Sequence, residues 1–280
     1  MIRDITIGQY YPVDSIIHRL DPRTKLVITF LYLISLFLVN NKYMLILAAA
    51  WLAGCIMLSK IPVKFMLKGL QGILIFILAS VIINMFFTKG DPFIDWYFVH
   101  ISWQGFRTAI YTMLRIIMLV LGASVVTYTT TPMRLTDGLE KGLGFLRKIK
   151  IPIHEISMMV SIALRFIPIL IDELDKIMKA QQARGANFEN GNILQRIKSL
   201  FPVILPMFVS AIRRANELAN AMEARCYRGG DGRTKYKPLV YTKADIIGYV
   251  LVLSYTAVMI ALRIVLSQGI IEQIMNSSPV

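Results

Sequence analysis

The chain has 280 residues, of which 56% are hydrophobic and only 17% charged, with a mean hydropathy of +0.59. A soluble domain carries about 25% charged residues, so this composition excludes an ordinary water-soluble globule and makes lipid the expected solvent. Against that apolar background the net charge is +14. Cys55 and Cys226 are too few for a disulfide scaffold or a tetrathiolate metal site, and His18, His100 and His154 are too scattered for a histidine cluster.

Residues 1–20 contain Arg3, Asp4, Asp14, His18 and Arg19 and no apolar core, so no cleavable signal is expected there. The first apolar run, Leu26–Val39, is short for a hydrocarbon core that needs about 20 residues. Arg23 and Lys25 are expected to snorkel and lengthen its anchor. After the polar turn Asn40-Asn41-Lys42, the run Tyr43–Leu58 returns. Further spans are expected at Leu70–Phe87, Thr108–Thr127 and Asp245–Leu266. Lys and Arg concentrate before the first run, between the second and third, and after the fourth. That bias predicts a cell-membrane, multi-pass protein with its N-terminus in the cytoplasm and, after five spans, its C-terminus outside. Trp96 and Trp103, in a loop poor in cations, read as interfacial anchors.

About 110 residues separate the fourth and fifth spans, too many for a loop. Pro132, Pro152, the Gly185–Asn192 stretch and the Gly229–Gly232 stretch divide them into a short helix, Met133–Ile149, and two long ones, Ile153–Ala183 and Ile193–Tyr227. The expected organisation is therefore four membrane helices in residues 1–130, a cytoplasmic or interfacial helical module in 131–240, and a last membrane helix with its tail in 241–280. The fold class is an all-α integral membrane protein. Residues 131–243 hold 19 Lys and Arg against 10 Asp and Glu, so most of the excess charge belongs to this module rather than to a nucleic-acid-binding domain.

The first long helix is apolar over Ile156–Ile171, apart from Arg165 and two serines, and becomes amphipathic from Leu170. The second contains Pro202 and Pro206, which are expected to kink it. In its later half Ala211, Ala215 and Ala219 recur every fourth residue, a spacing that admits close approach of another helix. The first helix ends in Ala183-Arg184-Gly185, where Gly185 suits a left-handed cap, and the second in Ala224-Arg225-Cys226. An arginine there complements the helix dipole. It also offers a planar, permanently charged fork to a carboxylate on a partner.

Catalytic motifs are absent from the sequence: no Walker loop, H-E-x-x-H, C-x-x-C or G-x-S-x-G occurs. Asp172, Glu173 and Asp175 form the densest carboxylate cluster. They would be the metal ligands of a second class of protein, an integral-membrane enzyme acting on a lipid or isoprenoid. Arg115 and Arg165 are the ionisable residues placed to line an ion path, the basis of a third reading as a self-sufficient channel or carrier.

Three segments carry a resemblance. His18-Arg19-Leu20-Asp21-Pro22-Arg23-Thr24-Lys25-Leu26, then Ala163-Leu164-Arg165-Phe166-Ile167-Pro168 with Ala180-Gln181-Gln182-Ala183-Arg184-Gly185, and finally Ala221-Met222-Glu223-Ala224-Arg225-Cys226-Tyr227 follow one another in order. Over nearly its whole length the chain resembles the transmembrane T component of energy-coupling factor (ECF) transporters, a group that includes the cobalt-transport permease. The resemblance implies a non-catalytic subunit without cofactor or metal. It implies two long coupling helices whose ends, Ala183-Arg184-Gly185 and Ala224-Arg225-Cys226, dock into two ATP-binding-cassette subunits, identical or different. It further implies a membrane-embedded substrate-binding S component that carries a vitamin or metal, and no nucleic-acid partner. Met158, Met159, Met207 and Met222 are the expected adaptable contacts for that component. Cys226 departs from the commoner glycine and puts the backbone turn of the second ending in question.

Overall fold

Helix starts are written into the sequence as caps. The Asp21 carboxylate accepts the Arg23 N–H at 2.9 Å, and Pro22 occupies the first turn, where its missing N–H costs nothing. The computed structural model describes residues 10–39, 41–87, 92–96, 99–186, 188, 193–229 and 238–277. Ten α-helices are present among them: α1 (Ile16–Arg19), α2 (Pro22–Phe37), α3 (Lys42–Ser59), α4 (Val63–Leu70), α5 (Leu74–Phe87), α6 (Trp103–Thr129), α7 (Pro132–Gly142), α8 (Ile153–Ala183), α9 (Ile193–Ala224) and α10 (Lys243–Ser277). A 3₁₀ turn, Gln71–Ile73, joins α4 to α5, and another, Gly144–Ile149, follows α7. The loop before α6 contains a short antiparallel hairpin, β1 (Pro92–Trp96) and β2 (Val99–Ser102), the only strands among the described residues.

Among the described residues five helices are long and apolar enough to cross a membrane: Lys42–Ser59, Val63–Phe87, Trp103–Thr129, Ile153–Ala183 and Lys243–Leu266. The number agrees with the sequence reading. The first expected span forms α2, whose 16 residues reach about 24 Å at 1.5 Å per residue, and α8 meets the same length and composition through its apolar early half. The expected helix Met133–Ile149 is also divided, into α7 and the second 3₁₀ turn. Of the two expected anchors, Trp103 is exposed and stacks on Phe106 with ring centroids 5.9 Å apart, while the Trp96 side chain lies outside the described residues.

The described residues divide into two compact units, one within Gly8–Gly138 and Leu239–Val280, the other within Leu139–Pro238. In the first unit α2 is central and packs on α3, α6 and α10. Its core joins Tyr32 and Leu36 to Met44, Ala48, Met118, Val125, Tyr255 and Met259. Gly122 of α6 is required there, because a Cβ would lie 2.6 Å from the Tyr32 ring. Tyr255 stacks on Trp51 at 4.7 Å and shares a 2.8 Å hydrogen bond with Ser35.

Polar groups gather at one end of this unit, where α2 and α10 begin and α6 ends. Lys25 was expected to snorkel, but it is only 4% exposed. Its ammonium donates to the His18 carbonyl at 3.2 Å, the Thr129 carbonyl at 2.9 Å and the Thr130 hydroxyl at 3.1 Å. Those acceptors satisfy all three of its protons, and this is why the charge can be buried. Asp245 is fully buried and accepts the backbone N–H of Asp21 at 2.8 Å, and both the N–H and hydroxyl of Thr242 at 2.7 Å. Arg23 pairs with Asp21, donates to the Leu239 carbonyl at 3.0 Å and lies 4.3 Å over the Tyr241 ring. The segment His18–Lys25 is thus a structural knot joining α1, α2, α6 and α10.

Arg115, an ion-path candidate from the sequence, has a structural task instead. Its guanidinium donates to the Val39 carbonyl at 2.5 Å, just past the end of α2. Because α2 is short and α6 has 27 residues, the end of α2 falls alongside the middle of α6, where a carbonyl needs a donor from the protein. Arg165 is exposed.

Two outcomes follow from the knot. Replacing Lys25 with Met leaves three buried oxygens without a donor, and the loss of stability should be about 2–4 kcal/mol, read as a lower melting temperature in detergent. His18 is held by Ser15 at 2.7 Å and the Tyr11 carbonyl at 3.0 Å, and burial keeps its imidazole below the ordinary value. The folded state therefore disfavours protonation, so full stability is present above about pH 6.5 and is lost on acidification below it. The melting temperature should fall between pH 7.5 and 5.5, and a His18→Gln variant should lose that dependence.

Candidate functional site

The two long helices of the second unit, α8 and α9, carry the sequence-predicted functional residues. Both run unbroken through their prolines, Pro168 in α8 and Pro202 and Pro206 in α9. Gln181 reaches the Pro202 carbonyl, and Glu173 reaches Ser210 and Arg214. Rising numbers on one helix meet falling numbers on the other, so the pair is antiparallel. Its two C-terminal ends consequently face in opposite directions along the pair.

Those ends share one backbone geometry. After α8, Arg184 is the cap, the Gly185 N–H bonds the Gln182 carbonyl at 2.9 Å, and the Ala186 N–H bonds the Gln181 carbonyl at 3.0 Å. After α9, the Cys226 N–H bonds the Glu223 carbonyl at 2.9 Å, and the Tyr227 N–H bonds the Met222 carbonyl at 3.0 Å. Both are Schellman closures with an arginine at the cap. The left-handed position is Gly185 at φ +90° in the first and Cys226 at φ 58° in the second. The turn that Cys226 put in question is therefore formed with cysteine in it, at the cost of placing a Cβ in a region suited to glycine. Ala183, Arg184 and Gly185 are exposed, as are Ala224, Arg225 and Cys226. Among the described residues neither guanidinium has a side-chain partner, so each fork remains available.

A feature the sequence did not reveal joins the helices midway. One Glu173 oxygen accepts Nε and Nη2 of Arg214 at 3.1 and 2.7 Å, and the other accepts the Ser210 hydroxyl in a short hydrogen bond. Glu173 had been assigned to an acidic cluster with Asp172 and Asp175. Its carboxylate is already engaged across the pair, and no group of three His, Cys, Asp or Glu able to hold a metal exists among the described residues. Period alone marks Glu173 as polar but cannot say which residue lies opposite it, since the pairing depends on how the two helices cross.

Beyond this contact Ala211, Ala215 and Ala219 face Ile162, Phe166 and Leu170 across a cleft of about 280 Å³. The alanine stripe faces the neighbouring helix across that cleft. Of the four methionines, Met222 lines this cleft, Met159 is exposed, and Met158 and Met207 are half-buried. At the start of α8, His154 and Ser157 both bond Glu140, at 2.8 and 3.0 Å, tying α7 to α8.

Apolar helices long enough to cross a membrane, together with a long antiparallel helix pair with exposed arginine ends, define an integral-membrane helical protein. The family described as "Cobalt transport protein" (CbiQ) matches residues 14–236. The chain is 51% identical over 247 residues to the energy-coupling factor transporter transmembrane protein EcfT of Ruminiclostridium cellulolyticum, covering 88% of this chain and 92% of that one. It is 47% identical over 266 residues to EcfT of Clostridium kluyveri (94% and 98%) and 44% identical over 246 residues to EcfT of Bacillus subtilis (88% and 93%). The chain belongs to this CbiQ/EcfT family of transmembrane energy-coupling components.

Replacing Cys226 with Gly removes the left-handed strain and should stabilise the end of α9 by about 1 kcal/mol, whereas a β-branched Val should weaken it. Amide exchange at Cys226 and Tyr227 measures both, with slower exchange expected for Gly and faster for Val.

Proposed function

We propose that the chain couples ATP hydrolysis by two ATP-binding-cassette subunits to an S component that takes up a vitamin or metal micronutrient. Residues 131–240 act as the coupling module, and the Ala183-Arg184-Gly185 and Ala224-Arg225-Cys226 ends dock one in each ATPase. The observation that carries this reading is the repetition of one closure at two helix ends, each with an exposed arginine at the cap. A helix dipole explains one arginine, but it does not require the same hydrogen-bonded turn twice, the second time with a strained cysteine. Facing opposite ways along an antiparallel pair, the two arginines suit two separate grooves. An acidic groove would satisfy each fork bidentately.

The distribution of cations supports the orientation. Arg19, Arg23, Lys60, Lys64 and Arg134 lie where α2 begins and α6 ends, whereas Lys42 and Arg107 flank the opposite end. That bias supports a cytoplasmic N-terminus and coupling module, with the end of α10 outside. Met158, Met159, Met207 and Met222 remain the proposed contacts for the S component.

Charge reversal tests the docking. Arg184→Glu and Arg225→Glu should each reduce co-purification of the ATPases from native detergent, and the double variant should abolish uptake. Losing one partner of a buried charge pair costs about 2–5 kcal/mol, so the defect should be large. Intact co-purification and normal uptake in the double variant would sink the assignment.

A further inference from the structure

Beside its polar knot the membrane unit holds an apolar slot of about 300 Å³. Its walls come from residues within 25–32 of α2, 50–58 of α3, 122–129 of α6 and 244–251 of α10. Each stretch rises by about 10–12 Å of helix. All four run from the end where α2 and α10 begin toward the middle of the bundle. Ile16, Ile17 and Leu20 border the slot at the first end. At the other, Trp51 lines it and stacks on Tyr255 at 4.7 Å, which closes it there. The lining residues Leu58, Ile247 and Leu251 are exposed, so the slot opens sideways between apolar helices onto the surface that meets lipid.

Shape selects the occupant. A volume of about 300 Å³ along about 10 Å of helix leaves a cross-section of about 30 Å². An α-helix with its side chains is about 10 Å across and needs about 80 Å², so neither a partner helix nor a second copy fits. One hydrocarbon chain, in contact with its neighbours at about 4 Å, takes roughly 20 Å². Water is a poor alternative because it needs about two to four polar partners. Lys25, the charged residue in the lining, has all three protons committed to protein oxygens.

Charge selects the headgroup. Arg19 precedes the lining residue Leu20, Lys60 follows Leu58 by two, and Lys243 precedes Ala244, all at the same end of the slot. All three are exposed, and none makes an ion pair among the described residues. The carboxylates of Asp21 and Asp245 are already hydrogen-bonded within the protein. We propose that the slot holds one acyl chain of an anionic phospholipid from the leaflet at this cation-rich end, with its phosphate beside Arg19, Lys60 and Lys243. The chain fills the gap between α3 and α10 below the Trp51–Tyr255 stack. It is a resident structural lipid: only the folded unit binds it, so binding stabilises the bundle.

The test uses the full chain in its complete complex, reconstituted into phosphatidylcholine vesicles. These carry a trace of either phosphatidylglycerol or phosphatidylcholine with a photoreactive diazirine on the acyl chain. After photolysis, mass spectrometry maps the adducts. Phosphatidylglycerol should label the peptides containing Cys55 and Gly122 at least about tenfold more than phosphatidylcholine, the scale expected from three cations near one anionic headgroup. Both lipids should label the exposed face of α5, at Ile75 and Phe76, equally. Gly54 lines the slot, and a Cβ there meets no atom within 4 Å, so Gly54→Phe should fill the space and abolish slot labelling. Gly72 is equally open but does not line the slot, so Gly72→Phe should label as wild type. The triple variant Arg19→Gln, Lys60→Gln, Lys243→Gln should bring the two lipids to parity. Equal labelling of the slot by both lipids in the wild type overturns the anionic assignment. Adducts confined to exposed faces such as α5 overturn the site itself, as does wild-type slot labelling in Gly54→Phe. If Gly54→Phe aggregates, the wild type and the triple variant decide: loss of the preference on removing the cations supports the site, and an unchanged preference overturns it.

Discussion

Two buried charges, the Lys25 ammonium and the Asp245 carboxylate, hold the membrane unit to its architecture. Neither is isolated: Lys25 has three oxygen acceptors, and Asp245 takes donors from Asp21 and Thr242. Burying a charge is unfavourable until its hydrogen bonds are complete, so the partners must be in place together. That requirement draws together the start of α2, the end of α6 and the start of α10, segments more than 100 residues apart in the chain. An apolar contact would tolerate a sliding register, because lipid competes for the same surfaces. A directional network does not. The signature His18–Lys25 is therefore best understood as the fastening of the bundle.

The second unit obeys a different constraint. Its helices are bridged by Glu173 and Arg214, flanked by open clefts, and finished by two matching closures. Cys226 occupies a left-handed position at the second closure. Its retention of the same hydrogen bonds as the glycine-containing end places the requirement on the backbone turn and its cap arginine rather than on glycine. The fold separates a fixed membrane part, fastened by buried polar groups, from a helix pair bridged by a half-buried ion pair.

Much of this was legible in the sequence where a local rule governs. The helix Ile153–Ala183 follows from Pro152 before it, Gly185 after it and an uninterrupted helical period between. The arginine caps were visible because a helix end is read from a few adjacent residues. The first apolar run was legible as a short helix, whereas its place in the bundle is decided by packing. Helix α2 is short, yet it packs on α3, α6 and α10, and Arg115 satisfies the carbonyl just beyond its end. Lys25 looked like one more anchoring cation, since nothing near it in sequence announces Thr129 and Thr130 as its acceptors.

By itself, then, the sequence determined the solvent, the helical class and the two arginine endings, because hydropathy, period and capping act within a turn or two of helix. The tertiary structure alone decided which charges are buried and which are displayed. Lys25 and Arg184 are both cations beside helix ends, and only the residues brought against them from elsewhere make one a fastening and leave the other free to bind. The same holds for Glu173, a polar residue by its period, which bridges the pair only because the crossing of α8 and α9 sets Arg214 and Ser210 opposite it.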